Sequence, residues 1–306
     1  MKTKPTIAAP VLLICVFIIA ALTAAIPGEV LGLDENPYLS TVILQLVIYA
    51  IPALLFCTLR GSGYVSKLRI RFSSPSSVIL MISALILMIA GSGLINYFVS
   101  KVAPVGMATS SSAEAAAFAM NSGVFDGLYL ALAFAILPAI TEEFLFRGIM
   151  LTEYSSLGAV CAVVISSLMF ALSHFSVPRL PSYFFCGTVL ALLTFATRSV
   201  ASSMLVHAGY NIVVLFFEQY VLHVAEKQNI SSILFLITAV VIAFASAACF
   251  SFEASSLYRG YASDNVPSDY VPKKKPGVAA SLAESVFSPS FIALAVTYII
   301  IILVRG

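Results

Sequence analysis

Charge is what this chain has least of. Of its 306 residues only 10% are Asp, Glu, Lys or Arg, while 60% are hydrophobic, against about 25% charged residues in a soluble domain. Too few charges remain to cover a water-facing surface, which excludes an ordinary soluble globular protein. Tryptophan is absent, so any aromatic belt at a membrane interface must come from Tyr and Phe. The five cysteines, Cys15, Cys57, Cys161, Cys186 and Cys249, all fall inside apolar runs. That excludes a disulfide framework and leaves them as small buried apolar residues. A formal charge of +2 offers no electrostatic footprint for nucleic acid. Alternating segments of about ten residues, the mark of a transmembrane barrel, are missing as well.

What the chain does have is a succession of apolar runs long enough to cross a bilayer as helices. They lie at about 7–26, 39–59, 77–99, 127–150, 157–175, 182–197, 200–222, 231–252 and 288–304. The expected fold is all-α: one integral domain over 1–306, a polytopic transmembrane helical bundle of eight or nine spans in the lipid bilayer. With nine spans and an N-terminus inside, one side collects Lys2, Lys4, Arg60, Lys67, Arg69, Arg71, Arg147, Arg198, Arg259 and Lys273, Lys274 and Lys275. The other keeps Lys101, Arg179, Lys227 and Arg305, and its first loop is acidic at Glu29, Asp34 and Glu35. This asymmetry puts the N-terminus in the cytoplasm. The first run resembles a signal peptide in its basic start and small-residue end, but its apolar core is long, and an uncleaved helix is expected. Residues 100–126 read as a small-residue outer loop and 253–287, rich in Pro, Ser and charge, as a cytoplasmic linker. Its three lysines beside a span act as a topology anchor.

One run breaks the pattern. In "AFAILPAITEEFLFRGIM", residues 133–150, Glu142, Glu143 and Arg147 sit where lipid is expected. A charged side chain at that depth costs at least ~2.5–3.5 kcal/mol on insertion scales and usually marks function. Glu143 and Arg147 are i, i+4 neighbours able to pair on one helix face, which alone would be a structural ion pair. Glu142 points about 100° away and is left without a local partner. Pro138 cannot donate to the Phe134 carbonyl, which loosens the helix just before the glutamates. Two of the three histidines, His174 and His207, also fall in spans, and Asn211 shares a helix face with His207. Counted at 1.5 Å per residue, Glu142 lies ~15 Å and His207 ~12 Å from the cytoplasmic end of their helices. His174 falls at ~25 Å, a gap that tilt or a later helix start must close. A carboxylate and an imidazole can hold and deprotonate a water that attacks a peptide carbonyl. A His and an Asn on a neighbouring helix can donate to the oxyanion that develops. Residues 127–222 are thus the expected catalytic core.

"EEFLFR" (Glu142, Glu143, Arg147), "FALSH" (Phe170, His174) and "HAGYN" (His207, Asn211) resemble the EExxxR, FxxxH and HxxxN motifs of the CAAX protease and bacteriocin-processing (Abi) family, which includes the type II CAAX prenyl endopeptidases. The resemblance implies an intramembrane endopeptidase with a cavity open to the cytoplasm. By it, Glu142 and His174 activate the water, His207 and Asn211 form the oxyanion hole, and Glu143, Arg147 and Phe170 orient the site. It implies a hydrophobic or lipidated peptide, or a membrane-protein tail, as substrate.

Zinc proteases of the membrane carry HExxH, and neither His174 nor His207 is followed by Glu. No cofactor is therefore expected, although a Glu and two His could bind zinc. An aspartyl protease needs two intramembrane Asp, but Asp34, Asp126, Asp264 and Asp269 are all in loops. A Ser/His dyad has one candidate turn, "AGSG" at 90–93, well apart from the motifs. The alternatives from other classes are a non-catalytic binding or immunity protein of the same fold, and a proton-coupled transporter. Short loops suit a prokaryotic plasma membrane.

Overall fold

The computed structural model describes residues 4–26, 37–102, 124–227, 232–264 and 277–305. The acidic segment at Glu29, Asp34 and Glu35, most of the small-residue loop (103–123) and Lys273, Lys274 and Lys275 lie outside the described residues. Every regular element that is described is helical. In chain order we label them α1 (Pro5–Ala25), α2 (Leu39–Arg60), α3 (Val78–Val102), α4 (Gly127–Ser155), α5 (Ala159–Leu172), α6 (Leu180–Thr197), α7 (Val200–Lys227), α8 (Ser232–Ser263), α9 (Val278–Val286) and α10 (Pro289–Arg305).

Among the described residues six helices, α1, α2, α3, α4, α6 and α8, are long and apolar enough to cross a membrane. A seventh is the pair α9–α10, bent by 56° at its break. The chain is thus a multi-pass membrane protein, with six or seven full spans among the described residues where eight or nine were expected for the whole chain. The difference is length. Helix α5 has 14 residues, or ~21 Å at 1.5 Å each, against a hydrocarbon core of about 30 Å. Of α7, only Val200–Phe216 has described side chains, and that part is a shorter apolar helix. The segment read as a linker from 253 is also shorter than expected. Helix α8 continues to Ser263 and α9 begins at Val278, so Pro and Ser content at 253–287 overstated the break.

Local sequence explains the irregularities. Both α2 and α4 contain a five-residue π-helical stretch, Leu46–Ala50 and Leu132–Ile136, and each ends two residues before a proline, Pro52 or Pro138. Proline has no N–H to give the carbonyl four residues back, so the preceding turn re-bonds one residue further along and widens. A second π stretch, Phe144–Met150, follows Glu143. Gly61 (φ 92°) and Gly158 (φ 109°) turn the chain after α2 and before α5 in a backbone region that only glycine enters freely.

Two apolar clusters result. One joins α1, α2, α4, α5 and α10 through residues such as Leu13, Phe17, Phe146, Ile149 and Leu294. The other joins α3, α6, α7 and α8 through Leu80, Met88, Leu190, Leu193 and Phe250. Outward faces stay apolar, as on α8 at Ile237, Val241 and Phe244, which suits acyl chains rather than water. The charged residues of α4 lie at the seam between the clusters.

Candidate active site

Helix α4 carries two adjacent carboxylates with different surroundings. Glu143 is fully buried and ion-paired with Arg147, whose Nη1 lies 2.7 Å from Glu143 Oε1. The same oxygen accepts from His207 Nδ1 on α7 at 2.9 Å. Arg147 Nη2 donates to the Gly187 carbonyl of α6 at 3.0 Å, and its guanidinium sits 4.4 Å from the centre of the Phe170 ring on α5. One buried ion pair therefore ties together four helices, α4, α5, α6 and α7. Gly187 sits at a close approach of α6 to α5. A Cβ there would stand 3.1 Å from Ser167 Cα and 3.2 Å from the Phe170 ring.

Glu142 faces elsewhere. Its Oε2 is 3.9 Å from His174 Nε2, beyond hydrogen-bond range, and makes no hydrogen bond to any described residue. The Gln45 side chain of α2 hydrogen-bonds Glu142, and its Oε1 accepts from Thr141 Oγ1 at 3.5 Å. His174 lies just past the C-terminal end of α5. Its Nδ1 is 2.9 Å from the Phe170 carbonyl. A carbonyl only accepts, so Nδ1 carries the hydrogen, and in neutral His174 the lone pair is on Nε2, the atom facing Glu142. The imidazole stacks on Tyr183 of α6 at 3.9 Å and meets the Phe170 ring edge-on at 4.7 Å. The next residue, Phe175, is left-handed (φ 49°), a conformation disfavoured for a residue with a Cβ. Its ring is packed 4.7 Å from Phe17 and 5.9 Å from Tyr298. Packing against α1 and α10 thus sustains the strained turn that ends at His174.

The depth gap left by sequence reckoning closes through helix ends. Helix α4 runs on to Ser155 and α5 starts only at Ala159. Glu142 and His174 are then ~20 Å and ~22 Å from that common end at 1.5 Å per residue.

The structure thus brings together Glu142 with His174, and Glu143 with Arg147 and His207, with Phe170 between the two groups. Asn211 stands one turn along α7 from His207, and its Nδ2 donates to the Ala135 carbonyl, in the π stretch of α4, at 3.4 Å. Sequence reading missed Gln45, Tyr183, Gly187 and Phe175. Gln45 alone carried a signal, being an amide in an otherwise apolar run. Among the described residues no three His, Cys, Asp or Glu side chains converge as metal ligands would.

Residues 124–213, which hold every predicted site residue, match the family model described as type II CAAX prenyl endopeptidase Rce1-like. That match falls on the stretch holding the three motifs that resemble the CAAX proteases, and it covers less than a third of the chain. No curated protein and no solved structure matches the chain.

Proposed function

We propose that this chain is an endopeptidase that hydrolyses a peptide bond in a hydrophobic or lipidated substrate, using a water held between Glu142 and His174. The observation that carries the reading is the 3.9 Å between Glu142 Oε2 and His174 Nε2. A water at ~2.8 Å from both atoms subtends an angle near 90°, a normal bridging geometry. Glu142 takes the proton as the water oxygen attacks the carbonyl and later returns it to the leaving amine. His174, held by Phe170, Tyr183 and the Phe175 turn, fixes the water's direction.

His207 and Asn211 supply the oxyanion hole in this reading. His207 Nδ1 is tied to Glu143, so Nε2 carries a hydrogen for the oxyanion only when the ring is protonated. Asn211 has two amide hydrogens and engages one with Ala135, which leaves the second for the same task. Glu143 and Arg147 then act as positioning residues: they hold His207 and Phe170 rather than touch substrate. In this reading the basic end of the bundle, with Arg60, Arg71 and Arg198, faces the cytoplasm.

The test is cleavage of a library of hydrophobic-tailed peptides by the purified protein in detergent, beside Glu142→Gln. Products formed by the parent protein and missing with Glu142→Gln support the reading. Equal cleavage by both would refute it, and a library bound but left uncut by both would favour the non-catalytic binding protein.

A further inference from the structure

At the basic end of the bundle, away from Glu142, the loop 61–77 and the end of α4 line an open cavity of about 680 Å³. Thr152, on its wall, is ten residues from Glu142, or ~15 Å along the helix. The cavity is lined by Lys67, Arg69 and Arg71 with no acidic side chain among them. The nearest carboxylate, Glu153, is already engaged: Arg60 pairs with it, and Tyr64 OH donates to it at 2.6 Å. Two of the three wall hydroxyls are engaged as well, Ser66 with the Gly63 carbonyl and Ser155 with that of Thr152, both at 2.7 Å. What the cavity presents is therefore positive charge.

Its backbone points the same way. Leu68 ends a 3₁₀ turn in the right-handed region and Arg69 is left-handed (φ 56°, ψ 38°). A right-then-left pair turns successive N–H groups inward to form a concave anion cradle. Arg198, in the turn facing the loop, is also left-handed (φ 53°). The two strained arginines are locked to each other's segments. Val200 N donates to the Arg69 carbonyl at 3.1 Å, and Arg71 Nε donates to the Arg198 carbonyl at 3.0 Å. Phe175 beside His174 is the other non-glycine residue with positive φ among those described. Such strain collects at functional sites.

We propose that this cavity binds a phosphate group, either the headgroup of an anionic phospholipid or a free phosphate. It lies where α2 and α4 end and α3 begins, and basic pockets between transmembrane helices bind anionic headgroups. The inference does not depend on the peptidase reading.

Native mass spectrometry of the full chain, stripped of lipid in detergent, reads binding directly. Phosphatidylglycerol is retained in preference to phosphatidylcholine. Lys67 is exposed, so Lys67→Glu tests charge without disturbing the core. Reversing one charge removes two charge units, and at roughly five-fold per charge affinity falls about thirty-fold. Arg71→Gln falls about five-fold, and Lys101→Glu at the other end of α3 leaves retention unchanged. Inorganic phosphate distinguishes the sources. Displacement of the lipid by millimolar phosphate identifies the free anion as ligand, while undiminished retention identifies the lipid. Equal retention of both lipids, or of phosphatidylglycerol by Lys67→Glu and parent, overturns the proposal.

Discussion

Replacing Arg147 by Met should be among the most damaging single changes in the core, and replacing its partner as well should undo most of the harm. Both side chains are 0% exposed, so the buried regime applies rather than the near-zero worth of a surface pair. Removing one member of a buried pair typically costs about 3–5 kcal/mol, because the other charge stays without compensation in a low-dielectric site. In Arg147→Met, Glu143 keeps His207 (2.9 Å) but loses its guanidinium. In Glu143→Gln, Arg147 retains the Gly187 carbonyl and the Phe170 ring. Each single variant is expected to lose about 3–5 kcal/mol. The double variant buries no unpaired charge, and the side-chain amide that Glu143→Gln introduces can still accept from His207. Its loss should be about 1–2 kcal/mol, the scale of one hydrogen bond. The assay is reversible unfolding in mixed micelles, analysed as a double-mutant cycle. Additive losses of about 6–10 kcal/mol, twice the single-variant cost, or single losses under about 1 kcal/mol, the worth of a surface pair, would refute the reasoning. In the first case the two residues would not form a coupled pair; in the second the pair would be solvated.

Other perturbations test the surrounding parts. Gly187→Ala pushes a methyl against Ser167 Cα (3.1 Å) and the Phe170 ring (3.2 Å); as overpacking, it should cost about 1–3 kcal/mol in the same unfolding assay. Tyr183→Leu removes the stack on His174, and kcat should fall with little change in KM, whereas Tyr183→Phe should keep near-parental kcat. Phe175→Ala keeps the unfavourable φ while losing the packing that sustains it, so it should destabilise more than Phe175→Gly, which relieves the strain; a reversed order would remove the strained turn from the account. If Glu142 and His174 activate the water directly, peptide cleavage should survive a strong chelator; loss restored by added zinc would move the site to a metal mechanism.

How much of this was legible beforehand depends on the residue. Glu142, Glu143 and Arg147 stand out because charge in an apolar run has few explanations, and the i, i+4 spacing of Glu143 and Arg147 already implies their pairing. Pro138 announced a disturbed helix, and a π stretch precedes it. The number of full spans was less legible: hydropathy measures how apolar a run is, not where its helix starts, and α5 begins two residues after the run does and ends three before it. Gln45 could have been read as an amide in an apolar run, whereas Tyr183, Gly187 and Phe175 were illegible because their roles arise between helices far apart in the chain. A stacking partner, a close approach and a strained turn leave no periodic trace.

The neighbouring glutamates make α4 sensitive to counting. A step of one residue turns a helix by about 100°, so one deletion in Leu137–Thr141 would rotate the pair relative to the helix before it, bringing a counter-ion round towards the water-activating position. The π stretch at Leu132–Ile136 already holds one residue more than an α-turn needs. A deletion there can be absorbed by a return to ordinary helix, with Glu142 and Glu143 left facing as they do. Tolerance to length change along this helix should therefore switch off at Pro138, so that relatives could vary in length before the proline while keeping a fixed count after it.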